Sequence, residues 1–308
     1  MSFKQRLLDP AQPVTLFEMA PPPADKAGAL EMAVADAAKA TGLADAINLP
    51  EIHDEKRGEP RAAQFVRRIE PRVLGVRIRR QLGIEVMLNR CVVYEPDPVP
   101  WFRQIEEEDD IHCVVMVGGE SSQIQYPGPT VIEAAAQVSG AGIKATLGGI
   151  SIPSRVHEAE RVRRKAAAGL SFFTTQVLFD PNDIVWLLQR LNGLEARIFL
   201  SFAPVSHPRD LEFLRWLGAD IPADLDRYLL HESGNSSAAG GNYFERSLDL
   251  CQRILMDVFD NLPPDPPPIG LNIEHINKRN FPLAIQMLKK LGALYTHLIS
   301  ARARASLA

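Results

Sequence analysis

The sequence predicts an α/β fold, a single (β/α)8 barrel of the TIM type over residues 1–308. Three observations predict it. Eight short β-like runs alternate with helix-period segments along the whole chain, the pattern of a parallel sheet joined by crossover helices. Most of the runs are apolar on both faces, as strands buried between a filled interior and an outer helical layer must be. The length of 308 residues slightly exceeds the roughly 250 typical of one such barrel.

The strands are expected at 14–19, 46–52, 84–93, 112–117, 144–150, 172–179, 197–205 and 269–276. Between them, Ile184, Leu187, Leu188 and Leu191 repeat at i, i+3, i+4, i+7, with Asn182 or Asp183 placed to cap the helix. Ala284, Met287, Leu288 and Leu291 repeat that spacing, and Gly292 reads as the stop. Ser154 and the HEAERVRRK that follows read as a capped helix with Ala159, Val162 and Ala166 as its apolar stripe. Interruptions at 233–241 and 261–268 fall between the seventh and eighth strands. They predict an excursion at about 218–268, the first part with the Gly/Ser composition of a mobile loop at the barrel mouth.

Composition narrows the partners. Net charge is −4 with 46% apolar residues, so no global basic field exists to hold nucleic acid or an anionic membrane. No apolar run approaches the roughly 20 residues that span a bilayer, and the opening MSFKQRLLDPAQP lacks an apolar signal core; a cytoplasmic setting is the expectation. The oligomeric state stays open, a homo-oligomer included. Cys91, Cys113 and Cys251 are odd in number and far apart, which argues for small core residues over a disulfide or a zinc site; no metal is expected. The P-loop, the dinucleotide G-x-G-x-x-G and the G-x-S-x-G elbow are all missing.

What remains are polar residues at the C-terminal ends of apolar strands, where barrels of this type carry their chemistry. Glu18 lies in VTLFEMAPPP between Phe17 and Met19; a carboxyl in an apolar setting has a raised pKa and suits a general acid, the alternative being a salt-bridged rim carboxylate. Gly118 and Gly119 end the fourth strand and Glu120 follows, either a close approach for a planar ligand or an ordinary turn. Gln176 is polar within an apolar strand, so its amide either ties strands together or faces a pocket. In the last strand Asn272, Glu274 and Ile276 alternate with Ile273, His275 and Asn277; one set must point into the mouth. His207 and His275 stand alone and read as core or rim residues. Arg72, Arg77, Arg79 and Arg80 read as a solvated connector or a phosphate grip.

In order along the chain, FEMAPPP, MVGGESSQIQYPG, AAAGLSFFTTQVLFD, SLDLCQRI and GLNIEHINKRN resemble the motifs of methylenetetrahydrofolate reductase. The resemblance implies an α/β barrel carrying FAD, which NAD(P)H reduces and which passes hydride to the methylene carbon of a folate. It implies Glu18 as the acid that opens the methylene bridge and Gln176 as a pterin contact. Glu120 then stands where the family has an aspartate near the rings, and His207 and Glu274 face the substrate. Gly118, Gly119, Tyr126, Glu158, Lys165, Asn277 and Lys278 fall at cofactor positions. The chain departs from the family at Leu88-Asn89-Arg90, which replaces H-L-T, and at Glu274 and Lys278, which replace a tyrosine and an arginine. Three expectations follow: a flavin-dependent reductase, a reductase passing hydride directly from NAD(P)H to the folate, and a folate-binding paralogue without redox chemistry.

Overall fold

A computed structural model of the chain describes residues 1–54, 64–119, 124–230 and 241–305. Its strands are β1 (Thr15–Met19), β2 (Ala46–Leu49), β3 (Glu85–Cys91), β4 (Cys113–Val117), β5 (Thr146–Ser151), β6 (Phe172–Val177), β7 (Arg197–Phe202) and β8 (Ile269–His275). They form a closed barrel in chain order, every neighbouring pair parallel, with β8 returning to pair with β1. Seven lie within the runs read from sequence and β5 passes the end of its run by one residue, Ser151, so the (β/α)8 barrel is the observed architecture.

The helices are α1 (Phe3–Leu8), α2 (Ala29–Ala37), α3 (Pro71–Leu82), α4 (Val99–Glu107), α5 (Val131–Gly140), α6 (Glu158–Ala167), α7 (Pro181–Arg190), α8 (Pro208–Trp216), α9 (Ala223–Leu230), α10 (Gly241–Asp260) and α11 (Phe281–Ala305). The α7 stripe Ile184, Leu187, Leu188 and Leu191 is fully buried, as its period requires. Its cap is Asp180, whose carboxylate accepts the Asn182 amide at 2.8 Å, and not Asn182 or Asp183, because Pro181 takes the first helical position. The start of α6 differs from expectation too: His157 at φ 61° precedes it without a side-chain cap, three residues beyond Ser154. Gly292 does not stop α11, which continues to Ala305; packing of the helix flank outweighs one glycine's propensity. Between β7 and β8 lie α8, α9 and α10; most of the Gly/Ser-rich stretch there falls at 231–240, outside the described residues.

Strand alternation divides the core in two. Phe17, Met19, Ile47, Leu88, Val114, Ile198 and Ile273 face outward into the helical layer. Val14, Leu16, Ala46, Met87, Cys113, Val115, Phe172 and Phe199 fill the interior, joined by Phe3 and Leu7 of α1. Gly148 and Gly270 make that filling fit: a Cβ on the first would sit 2.2 Å from the Phe172 ring, and on the second 2.3 Å from the Phe199 ring. The N-terminal end is sealed by Arg197, buried and donating to the carbonyls of Leu7 (2.9 Å), Asp9 (2.6 Å) and Ile269 (2.6 Å). These bonds satisfy a guanidinium that is otherwise costly to bury. Cys91, Cys113 and Cys251 are buried thiols outside any disulfide, and burial pushes the latter two up to about 12.

Space is open around the Cα of Gly292, with no neighbouring heavy atom within 4 Å of a built Cβ. Gly292→Ala is therefore expected to stabilise the protein by about 0.5–1 kcal/mol through α11 propensity, read from the urea midpoint; an unchanged or lowered midpoint contradicts it.

Candidate functional site

Barrel closure builds the floor of the mouth. β1 and β8 pair so that Glu18 lies directly beside Glu274, and both carboxyls point inward with Leu16 and Asn272 below them. Asn48 of β2 donates Nδ2 to Glu18 Oε2 at 2.7 Å. The Nδ2 of Asn272 faces three acceptors: Ser201 Oγ at 3.0 Å, Glu18 Oε2 at 3.4 Å and Glu274 Oε1 at 3.5 Å. Burial raises the Glu18 carboxyl to about 7, against the lowering pull of the Asn272 and Asn48 amides. Burial also lifts Glu274 well above the carboxylate range, the charge of Glu18 adds to the rise, and Ser201 opposes it. Two acids this close cannot both ionise cheaply, so the pair holds a proton near neutrality. The raised pKa expected of Glu18 is present, but its cause is the barrel interior; Phe17 and Met19 face the other way, into the helices.

Above this floor opens a cavity of about 550 Å3, within the range of small-molecule sites. Glu18, Glu274 and Gln176 all line it, so the acid and the amide singled out in the sequence share one space. Gln176 reaches it through a register shift of β6 against β7 between Thr174 and Val177, which turns Thr174, Thr175 and Gln176 all to the cavity. Its amide also ties structure together: Nε2 donates to the Leu217 carbonyl at 2.9 Å and Oε1 accepts the Val177 amide at 2.9 Å. Asn89 contributes a buried Oδ1 with no hydrogen-bond partner among the described residues.

The other predicted positions divide. Gly118, Gly119 and Lys165 line the cavity. Lys165 Nζ donates to the Ile150 carbonyl at 2.8 Å, and burial lowers its pKa, with Glu158 opposing. Tyr126 is not on the cavity; its ring occupies the space over Gly119, 2.1 Å from where a Cβ would stand. Glu158 is buried behind the wall, accepting the Ile152 amide at 3.0 Å. His207 is exposed and caps α8 through Nδ1. Asn277 caps the turn before α11 and donates to Asp210 at 3.0 Å, while Lys278 is exposed beside it. Glu120 lies outside the described residues. His275 faces outward against the Phe281 ring. Arg72 and Arg79 are engaged by Asp109 and Glu85.

Sequence reading missed three features. The first is Glu274 as partner of Glu18; nothing local signals a contact across 256 positions. The second is a basic rim: Arg155, Arg161, Arg164 and Lys165 line the cavity opposite the acids. The i, i+3, i+4 spacing of the last three was a readable signal. The third is a smaller adjoining cavity of about 270 Å3, sharing Glu18, Glu274 and Leu217 and walled by Phe213 and Trp216, whose rings stack at 6.0 Å. On its edge Glu51, His53 and Cys91 bring one potential ligand atom each within 4.8 Å. Burial would raise Glu51, but His53, Arg90 and the Cys91 amide together hold it below its ordinary value, making it a clamp between the ends of β2 and β3.

Fold and site thus define a (β/α)8 barrel with a ligand cavity at its C-terminal mouth, proton-holding at the floor and cationic at the rim. No family model and no curated protein matches the sequence. Among solved structures, a Clostridium thermocellum protein described as binding two copies of 5-methyl-5,6,7,8-tetrahydrofolic acid is similar, with a TM-score of 0.76 and 20% identity over 95% of this chain and 99% of that one. The structure of apo-MsnO8 is similar at a TM-score of 0.54 and 14% identity, covering 91% and 98%. These likenesses concern the fold. Among the described residues, no helix is long and apolar enough to cross a membrane.

The acid pair sets a pH dependence. Both carboxyls are raised in the folded state, so the stability they contribute is complete below about 4.5, the ordinary value, and is lost as pH rises through about 7. Glu274→Gln removes one acid and the charge that acts on the other. The fall in urea midpoint between pH 5 and pH 8 is expected to shrink in this variant; an identical fall in both proteins contradicts the pairing.

Proposed function

We propose that this barrel binds a tetrahydrofolate in its mouth cavity and acts in the manner of methylenetetrahydrofolate reductase, reducing a 5,10-methylene unit to a 5-methyl group with NAD(P)H. The observation that carries the proposal is the placement of Glu18, protonated near neutrality, in one cavity with Gln176. The folate described in the Clostridium thermocellum neighbour supports the choice of ligand. The unpartnered Oδ1 of Asn89 supports a ligand edge rich in N–H donors, as a pterin has.

The chemistry assigned to this chain is proton delivery and positioning. Glu18 donates a proton to N10 as the N10–methylene bond breaks, leaving a cationic N5-iminium; hydride from the reduced nicotinamide then adds to that carbon and gives the methyl group. The Glu18 carboxylate left behind, beside a Glu274 that keeps its proton, favours the cation. Gln176, fixed by the Leu217 carbonyl, keeps a second N–H for the pterin. The adjoining cavity, with its Phe213–Trp216 stack, offers a flat apolar wall for a second ring.

Of the seven residues that the resemblance gives to the cofactor, Gly118, Gly119 and Lys165 line the cavity and the other four do not fit FAD in the manner the resemblance implies. Tyr126 covers Gly119, Glu158 is turned to the Ile152 amide, Asn277 is committed to a cap and Asp210, and Lys278 stands apart in solvent. The purified protein is expected to be colourless, with a visible flavin band as the contrary result.

Glu18→Gln is expected to lower the rate of NAD(P)H-dependent reduction by about 10²–10⁴-fold, the usual share of a general acid, while 5-methyltetrahydrofolate affinity by calorimetry changes little. If the unaltered protein binds this folate but oxidises neither NADH nor NADPH with the methylene substrate, it is a folate-binding protein without redox chemistry. If it binds no folate, the reading of the cavity fails.

A further inference from the structure

Glu51, His53 and Cys91 come from stretches that the chain keeps apart and the barrel joins. Glu51 and His53 follow the end of β2, and Cys91 is the last residue of β3, the strand that pairs with β2. Each offers one donor atom, and the three donors lie within 4.8 Å of one another. They are of three chemical kinds: a carboxylate oxygen, an imidazole nitrogen and a thiol sulfur. Among the described residues no other three histidine, cysteine or acidic side chains meet in this way. Spacing along the sequence hides the cluster, because Cys91 has no histidine near it in the chain.

Two features point to a ligand. The first is His53 Nε2, a buried atom with no hydrogen-bond partner among the described residues. It stands 3.3 Å from Glu51 Oε1 without bonding to it. A buried ring nitrogen left in this way costs free energy, and a bound ion is one of the ordinary reasons for it. The second is that distance itself: nitrogen and oxygen ligands of a tetrahedral zinc ion, each at its usual bond length, stand about 3.3 Å apart.

The surroundings already act as a metal's outer partners do. Arg90 Nη1 donates to Glu51 Oε1 at 2.6 Å and the Cys91 amide donates to Oε2 at 2.6 Å. These bonds fix the carboxylate while leaving Oε1 a second lone pair. Arg90 is balanced in turn by Glu95 at 2.5 Å. The His53 ring lies against Tyr94, with centroids 4.3 Å apart, which holds its orientation.

We propose that Glu51, His53 and Cys91 bind a zinc ion whose fourth position opens to the adjoining cavity. Sulfur and imidazole donors favour zinc over magnesium or calcium. Three protein ligands with one exchangeable position make a reactive site, where four would make a closed structural one. Cys91 gives up its proton as the metal binds, and thiolate and carboxylate together match the ion's charge. Glu51 and His53 line the cavity that Glu18 and Glu274 also line, so a water on the zinc stands in the space those acids reach. The site does not depend on the folate reading.

Titration of chelator-treated protein with cobalt(II) tests the site, since cobalt takes zinc's place and reports its ligands optically. One equivalent is expected to give a thiolate-to-cobalt absorption band in the near ultraviolet, and zinc is expected to displace it. Cys91→Ser is expected to abolish the band, and Cys251→Ser to keep it. His53→Ala is expected to weaken zinc binding by calorimetry at least about 100-fold, more than loss of an outer partner costs. Because Cys91 is buried and the His53 side chain is 32% exposed, the second variant decides the matter if circular dichroism shows the first unfolded. No band and no zinc uptake in the unaltered protein overturn the site. A band that survives in folded Cys91→Ser, or a smaller loss of affinity in His53→Ala, places the metal on other residues and overturns it too.

Discussion

The pairing of β1 with β8 is the contact on which the rest of the site depends. Closing the barrel brings the first and last strands side by side, and their register sets Glu18 against Glu274. Neither carboxyl would be unusual alone on a surface. Placed together at the top of an apolar filling, they cannot both lose their protons without severe repulsion in a poorly solvated space. The neighbouring amides of Asn48 and Asn272 make the burial tolerable by giving the oxygens donors. Closure, acidity and hydrogen bonding are thus one arrangement.

The two ends of the barrel divide stability from function, as the architecture generally does. At the N-terminal end, Arg197 and Tyr295 lock strand ends and the first helix together: the Tyr295 hydroxyl donates to the Ile269 carbonyl at 2.8 Å and accepts the Val14 amide at 3.1 Å. Phe3 and Leu7 pack in one cluster with Leu16 and Phe199 and fill that end with apolar side chains. The C-terminal end is filled with polar groups that do not all satisfy each other, including the buried Oδ1 atoms of Asn48, Asn89 and Asn272. Such unpaired atoms are costly in a mere core and are explicable at a mouth built to receive a polar molecule.

Much of the architecture was legible because it depends on short-range periodicity. The buried stripes of α7 and α11, the eight apolar strands and the position of Glu18 near a strand's C-terminal end all follow from residues a few places apart. Details at the helix ends were less legible. Pro181 displaced the cap of α7 to Asp180, and α11 ran through Gly292, because cap geometry and flank packing compete with single-residue preferences. Gln176 was ambiguous for a good reason: its amide bonds the Leu217 carbonyl and also lines the cavity.

The sequence by itself determined the fold class and the place of an acid near the C-terminal end of β1, since each is a matter of local spacing; the cationic spacing on α6 was equally local, though its place on the cavity was not. Only the tertiary structure decided that Glu274 belongs with Glu18, that a register shift turns three consecutive residues of β6 to one space, and that Asn277, His207 and Tyr126 serve caps and packing. Those outcomes depend on strand register and on groups distant along the chain. The free energy of burying a charge is set by all the atoms that surround it, and no local stretch of residues contains them.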